Sequence, residues 1–236
     1  MLTCKINSSS SILRTHLSKA ILEKHRSHVS FSCSAYGKSS EQPRRAKTDS
    51  QPSNDESCCI KFQSLNSCSL GIARYPDFAY NAEGGTGTAT GRRTSKGEIL
   101  ATFDITTLYI PPLETATTRF LGLPLPPFLK IEIVPQVFTG EIEEETGKVN
   151  LKFKAEFYFS VGSLYRAPPL IVDTILTSEE SKGRIRFGKG ERLNKKGRCR
   201  LVGVATVDPI NDSFMNTFLG LPTECIANLN ANIFIS

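Results

Sequence analysis

Five polar residues form the best candidate for the rim of a ligand pocket: Tyr165, Arg166, Asp173, Glu179 and Glu180. Tyr165 and Arg166 stand just before Pro168 and Pro169, which make the following loop rigid. We expect them at a strand end, at the mouth of a sheet that closes on itself. No pair of these groups has a spacing that specifies general acid and base work, because carboxylate geometry depends on the fold. The five residues therefore predict a binding rim and no catalytic residue.

The histidines are confined to the start of the chain, at His16, His25 and His28. A mature domain without this segment has no histidine, which excludes Ser-His-Asp sites, Cys-His sites and His-containing zinc or iron sites. An enzyme would have to use Asp, Glu, Lys, Tyr or Cys. The five cysteines beyond residue 57 contain no Cys-x-x-Cys pair, and we expect neither a metal site nor another cofactor.

The strongest cluster of charge lies in residues 182–200, where nine Lys and Arg are opposed by a single acid. A turn at residues 194–197 would make a hairpin in which Arg192 faces Arg198 and the even-numbered arginines share one face. We call five of them the basic ribbon: Arg184, Arg186, Arg192, Arg198 and Arg200. Such a ribbon suits anionic lipid headgroups, a phosphorylated metabolite or an acidic protein partner. The alternative is a solvated surface balanced by the acidic turn at residues 141–145.

The pentapeptide Phe-Leu-Gly-Leu-Pro occurs twice, at residues 120–124 and 218–222. If both copies are exposed together, they form an apolar patch for a membrane surface or a partner. If they are buried, they plug the ends of a barrel. We favour the plugs, because apolar loop residues usually complete a core.

A glycine-rich run at residues 84–91 has the composition of a phosphate-binding loop. That function requires a strand before the loop and a helix after it, and the spacing fits neither nucleotide fingerprint. The run therefore predicts a flexible loop.

Alternating apolar and polar residues dominate the rest of the chain. In residues 148–161 all seven odd positions are apolar, and residues 225–235 repeat the same alternation. This period of two is typical of antiparallel strands with one buried face. The sequence predicts a mainly β fold, an antiparallel meander of about seven to nine strands that closes as a barrel or strongly curled sheet. One short helix is predicted near residues 209–218, with Asp208 or Asn211 as its N-cap.

The first 40 residues contain eleven Ser and six Lys or Arg but one acid, Glu23. This bias is typical of an organelle transit peptide, and no apolar run is long enough for a secretory signal. We predict a plastid transit peptide at 1–35, a disordered linker at 36–57 and a single β domain at 58–236. The expected location is the chloroplast, in the stroma or at the periphery of the thylakoid. The alternative is a disordered regulatory tail.

Residues 57–236 hold 20 Lys and Arg against 18 Asp and Glu, so most of the net charge of +6 belongs to the N-terminal segment. This balance argues against a nucleic-acid partner. The longest apolar run, residues 120–129, is broken by one glycine and three prolines, and we predict no transmembrane segment.

Three functions remain open at this stage. The first is a non-catalytic chloroplast protein that binds a lipophilic molecule or lipid at or near the thylakoid surface. The second is a protein-interaction or assembly factor for a photosynthetic complex, and the third is a small isomerase or cyclase acting on a hydrophobic substrate. An apolar cavity favours the first, a filled interior the second, and a cavity with converging Tyr, Arg and Glu the third.

Overall fold

The computed structural model describes residues 57–72 and 74–236. The predicted transit peptide at 1–35 and the predicted linker, apart from Ser57, lie outside the described residues and stay predictions. All described residues belong to one unit by their contacts, Gln51–Ser236.

Fifteen strands and one helix follow one another in the described part of the chain. They are β1 (Ser57–Ser64), β2 (Cys68–Ile72), β3 (Phe78–Tyr80), β4 (Thr86–Arg93), β5 (Glu98–Phe103), β6 (Thr118–Phe120), β7 (Leu123–Pro124), β8 (Leu129–Glu143), β9 (Lys148–Val161), β10 (Tyr165–Arg166), β11 (Leu170–Thr177), β12 (Glu180–Lys182), β13 (Phe187–Lys189), β14 (Arg198–Val207), α1 (Ser213–Leu219) and β15 (Thr223–Ile235).

Eight strands pair in an antiparallel ring, in the order β1, β4, β5, β8, β9, β11, β14, β15 and back to β1. If the short strands are left out, each strand of the ring pairs with the next one along the chain, and the last strand, β15, pairs with the first, β1. The predicted fold class, a mainly β antiparallel meander that curls and closes on itself with one short helix, is confirmed. The ring buries the apolar face of each strand without needing a layer of helices.

The ring has two unlike ends. At the end where β8 leads into β9, which we call the closed end, aliphatic side chains fill the interior. They include Ile60, Ile99, Ile142, Leu151, Leu201 and Ile233, none more than 2% exposed. The opposite end, where β8 begins and β9 ends, is called the open end.

The outer edge of β15 is shared between two strands. Residues 231–235 pair with β1, and residues 225–228 pair with β2. From β2 the sheet continues through β3 to β6, and Leu113 bridges back to Ile131 in β8. The circumference at the open end therefore passes through β2, β3 and β6 instead of β1, β4 and β5.

The prediction of a flexible loop at residues 84–91 is wrong, because most of this run forms β4. Gly87, Ala89 and Gly91 face the interior, where space is short. A Cβ on Gly91 would lie 2.5 Å from Cys58 Sγ and 2.8 Å from Ile99 Cγ2. Glycine serves here as the smallest residue that lets β4 approach its neighbours.

Helix α1 lies at the open end and confirms the predicted short helix. Its N-cap is Asp212 rather than Asp208 or Asn211: the Asp212 carboxylate accepts a hydrogen bond from Met215 N at 2.9 Å. The side chain of Met215, a residue of this helix, is buried. With seven residues, α1 is short, and none of the helical structure described here is long and apolar enough to cross a membrane.

Candidate functional site

A cavity of about 370 Å³ occupies the ring between its filled closed end and α1. Its floor is made by aromatic rings. Phe138 packs edge-on against Phe62 and Phe153, at centroid distances of 5.5 and 5.8 Å. Toward the open end the lining reaches Phe120 and Phe218. The volume falls within the range of about 300 to 1,000 Å³ that small-molecule sites occupy.

Small residues on two neighbouring strands line this space. Gly203 and Ala205 in β14 pair with Ala227 and Cys225 in β15, and all four line the cavity. Nearer the closed end, the next inward pair joins Leu201 to a second leucine, and the interior is filled there. The change from leucine to glycine, alanine and cysteine at successive inward positions therefore marks where the cavity begins. Sequence reasoning missed this signal.

Three hydroxyl groups in the lining are hydrogen-bonded within the chain itself. Tyr80 Oη donates to Pro111 O, Ser64 Oγ donates to Ala82 O at 2.5 Å, and Thr174 Oγ1 donates to Val204 O at 2.8 Å. Among the described residues, those that line the cavity include no Asp, Glu, Lys or Arg. These groups therefore leave no free donor or charge to orient a polar ligand.

Burial raises the pKa of two ionisable groups in the lining, Tyr80 and Cys225. It raises the pKa of the Cys225 thiol to about 11 and raises the pKa of the Tyr80 hydroxyl above its ordinary value. Neither group is a proton acceptor or a nucleophile near neutral pH. The described part of the cavity wall is therefore suited to an apolar molecule.

Tyr165 and Arg166, predicted for a pocket rim, lie at the open end outside the cavity lining. Tyr165 Oη donates to Asp212 Oδ2 at 2.8 Å, which ties β10 to the N-cap of α1. Burial raises the pKa of Tyr165 to about 12, and the Asp212 carboxylate adds to that shift. The guanidinium of Arg166 lies 5.1 Å from the ring centroid of Tyr158.

Asp173, Glu179 and Glu180 lie away from Tyr165. Asp173 is exposed because its neighbours Val172 and Thr174 turn inward to the cavity, and side chains alternate along a strand. Glu179 and Glu180 line a separate, polar pocket with Lys189 and Arg192. The predicted rim is thus divided, with Tyr165 and Arg166 at the open end and Glu179 and Glu180 at the polar pocket. Contact of any of these residues with a ligand stays a prediction.

The arginines of the basic ribbon lie in two places. Arg184 and Arg186 occupy the tip between β12 and β13, close to Glu224 of β15. Arg198 pairs with Asn232, eight residues further along β15, or about 25 Å at the rise of a strand. Glu191, and not Arg192, pairs across the turn with Arg200, so Arg192 does not face Arg198 as expected.

Three arginines of the ribbon are held by acids. Ion pairs join Arg186 to Asp77 at 2.6 Å, Arg192 to Glu179 at 2.5 Å, and Arg200 to Glu191 at 2.7 Å. Arg186 also donates to the carbonyl oxygen of Ile72. Whether the ribbon binds an anionic surface or partner stays a prediction, now with much of its charge paired.

Glu224 holds the tip of the ribbon and was not singled out from the sequence. Its buried carboxylate accepts hydrogen bonds from the backbone N–H groups of Arg184, Ile185 and Arg186, at 2.6, 2.8 and 2.9 Å. These three bonds lower the pKa of Glu224. A Cβ on Gly183 would lie 2.5 Å from this carboxylate, so the glycine is needed for the close approach.

Both Phe-Leu-Gly-Leu-Pro segments lie at the open end. Phe120 and Phe218, their first residues, pack against Tyr75 at centroid distances of 6.4 and 5.6 Å. Leu219, the last residue of α1, is buried, whereas Leu121 is 71% exposed. The preferred expectation of buried plugs therefore describes part of the second segment and not the first.

No family model, curated protein or solved structure matches the chain. The interpretation of the site therefore rests on its own geometry.

Proposed function

We propose that the protein binds a lipophilic molecule or lipid in the apolar cavity and that it does so without catalysis. The supporting observation is the cavity itself, about 370 Å³ bounded by aromatic and aliphatic side chains without a charged group among the described lining residues. Protein interiors are normally packed without voids of this size. An apolar occupant would fill this space, and binding to the folded state alone would stabilise the fold.

The same lining limits the kind of ligand. A buried carbonyl group on the ligand would find no free donor among the hydroxyls of Ser64, Tyr80 and Thr174, which already donate within the chain. An unpaired buried polar group costs about 1–3 kcal/mol. The ligand is therefore apolar along its buried length and carries any polar group at the open end.

The site gives less support to the other two functions. An isomerase or cyclase needs a group that moves a proton. The polar residues predicted for the pocket rim, namely Tyr165, Arg166, Asp173, Glu179 and Glu180, do not line the cavity. An assembly factor has no need of an interior cavity. The composition of residues 1–35 supports a further part of the proposal, that binding takes place in the chloroplast, at or near the thylakoid surface.

The test compares two substitutions that place the same side chain on opposite faces of β14. Ala205→Phe fills the cavity, whereas Thr206→Phe adds a ring to the exposed face of the neighbouring residue. Fluorescence of N-phenyl-1-naphthylamine, an apolar probe, measures binding to the full chain. We expect wild type and Thr206→Phe to bind the probe and Ala205→Phe to bind at least about tenfold more weakly.

Absence of probe binding by wild type, or equal binding by Ala205→Phe in a folded protein, would contradict the proposal. Mass spectrometry of lipids that co-purify with the chain is the second measurement. It does not depend on whether Ala205→Phe folds, and recovery of no lipophilic compound from wild type would contradict the proposal as well.

A further inference from the structure

Six large apolar side chains are exposed around the open end of the ring, each between 39% and 92% exposed: Leu121, Leu123, Phe128, Leu164, Phe214 and Phe218. We call them the apolar collar. They come from four separate segments, namely the β6–β7 turn, the residue before β8, the β9–β10 turn and α1. Their shared feature is their position around one end of the cavity.

Short contacts link the segments of the collar on the side of α1. The rings of Phe214 and Phe218 stack at 5.7 Å, and Phe214 lies 5.6 Å from Tyr165. Tyr165 pairs with Val161 at the end of β9, and Leu164 stands in the turn between them. The helix and the β9–β10 turn therefore form one continuous apolar edge.

The remaining contacts carry this edge around the opening. Gly162 N donates to Phe128 O at 2.8 Å, which joins the β9–β10 turn to the start of β8. On the far side, Phe120 pairs with Leu123 across the β6–β7 turn, and Tyr75 lies between Phe120 and Phe218. The collar thus surrounds the end of the cavity whose lining includes Phe120 and Phe218.

Two residues of the collar have a backbone conformation that side chains disfavour. Leu121 has φ of 52° and Phe128 has φ of 71°, in the left-handed region where glycine is preferred. Their side chains are more than two-thirds exposed and gain little from folding in return. Strain retained at exposed apolar residues points to a function outside the fold itself.

We infer that the apolar collar inserts into the surface of a lipid bilayer and places the cavity opening against it. The inference rests on the proposed function, because a lipophilic ligand is the reason for such contact. Such a ligand leaves a membrane through water only slowly, whereas a collar embedded among lipid tails gives it a continuous apolar path. A protein partner would cover the collar without supplying that source of ligand.

The absence of tryptophan from the sequence makes a direct test possible, since one introduced Trp is the only one in the protein. Leu164→Trp and Phe214→Trp place it in two segments of the collar. Phe234→Trp is the matched control, because Phe234 is 45% exposed and pairs with Lys61 in β1 toward the closed end. Each full-length variant is mixed with phosphatidylcholine vesicles that contain a brominated phosphatidylcholine, which quenches only Trp residues within the acyl region.

We expect blue-shifted and quenched emission from Leu164→Trp and Phe214→Trp and unchanged emission from Phe234→Trp. The effect should persist at about 1 M salt, because insertion of apolar side chains does not depend on charge attraction. Equal quenching at all three positions, or no quenching at the two collar positions, would overturn the inference. The second of these results is also the one expected if the collar binds a protein.

A pair of glycine substitutions separates docking from folding. Leu121→Gly with Phe128→Gly removes two collar side chains and relieves both left-handed conformations, so the melting temperature should stay or rise. Flotation with phosphatidylcholine vesicles should fall at least about tenfold relative to wild type. The control Ile185→Ala removes a side chain that is 71% exposed outside the collar and should leave flotation unchanged. Unchanged flotation of the glycine variant would contradict the inference.

Binding of N-phenyl-1-naphthylamine without vesicles keeps the two proposals apart. If wild type binds the probe but collar tryptophans remain unquenched, docking fails and ligand binding stands. If wild type does not bind the probe, the proposed function fails, whatever the vesicles show.

Discussion

The hydroxyl of Tyr75 donates a hydrogen bond to the carbonyl oxygen of Phe218 at 2.6 Å, and the two rings lie 5.6 Å apart. The neighbouring Arg74 donates to Thr217 O at 3.0 Å. The last carbonyl groups of a helix have no partner within it, and here the loop after β2 supplies two. The segment that follows β2 thus fixes the C-terminal end of α1 over the cavity.

Tyr75→Phe keeps the ring contact and removes the hydrogen bond to Phe218. We expect the free energy of unfolding to fall by about 0.5–1.5 kcal/mol, the usual contribution of one hydrogen bond. Urea melts measure the change. Tyr109→Phe is the control, because Tyr109 is 55% exposed, and an equal loss in both variants would contradict the assigned role of the Tyr75 hydroxyl.

Phe138 is the central ring of the cavity floor and is 3% exposed. Phe138→Ala should lower the free energy of unfolding by about 3–5 kcal/mol, because it enlarges a space already present. Lys152→Ala, on the exposed face of β9, should change it by less than about 0.5 kcal/mol. Denaturant melts of the two variants compare the inner and outer faces of the ring, and similar losses would contradict the register of β8 on β9.

Glu224 should make stability depend on pH. Its three backbone hydrogen bonds lower the pKa below the ordinary value of 4.5, so the folded state favours the carboxylate. The stabilisation is present above 4.5 and is lost as the pH falls through the lowered pKa. Melting temperatures of wild type and Glu224→Gln should therefore differ near neutral pH and converge in acid. A difference that is independent of pH would show that charge on Glu224 is not responsible.

The cysteines should differ in reactivity according to burial. Cys59 is exposed, while burial raises the pKa of Cys199 to about 12 and that of Cys225 to about 11. Because the thiolate is the reactive form, iodoacetamide near neutral pH should label Cys59 before Cys199 and Cys225. Peptide mass spectrometry after short labelling tests the order, with urea-unfolded protein as the control. Early labelling of Cys199 in the folded chain would contradict its placement in the core.

The basic ribbon should contribute to binding of anionic vesicles only at low salt. Arg186 is the least exposed of the three paired arginines and also donates to the carbonyl oxygen of Ile72, so the test replaces Arg184, Arg192, Arg198 and Arg200 with Gln and leaves Arg186 intact. Screening shortens the Debye length from about 10 Å at 0.1 M to about 3 Å at 1 M ionic strength. Flotation with vesicles that contain anionic lipid should weaken in the variant at low salt and equal wild type at high salt. Equal flotation at both salt concentrations would make the ribbon a solvated surface.

The alternation of residues 148–161 predicted β9 and the antiparallel meander, because a strand with one buried face records its burial in its own sequence. The glycines of β4 led to the wrong prediction, a flexible loop. Glycine marks turns in most sequences, and only the neighbouring Cys58 and Ile99 explain its use in a strand.

The candidate site was harder to predict than the fold. The cavity lining brings together Gly203 in β14 and Ala227 in β15, a pairing that no local pattern specifies. Asp173 was chosen as a rim residue for its polarity, although the alternation of β11 turns it outward. Ligand sites in a ring of strands depend on inward positions of several strands at once, and register between strands is a non-local property.

Strand β15 pairs with β1 near its C-terminal end and with β2 near its start. The sheet therefore closes in two rings, here called hoops, that share β8, β9, β11, β14 and β15. The hoop at the closed end carries the aliphatic core, while the hoop at the open end is completed by short strands, with four paired residues between β2 and β15 and three between β2 and β3. Substitutions within residues 65–80 and 112–127 should therefore change the open end and leave the aliphatic core of the closed end in place. One end of the ring can thus vary without altering the side chains that fill the other.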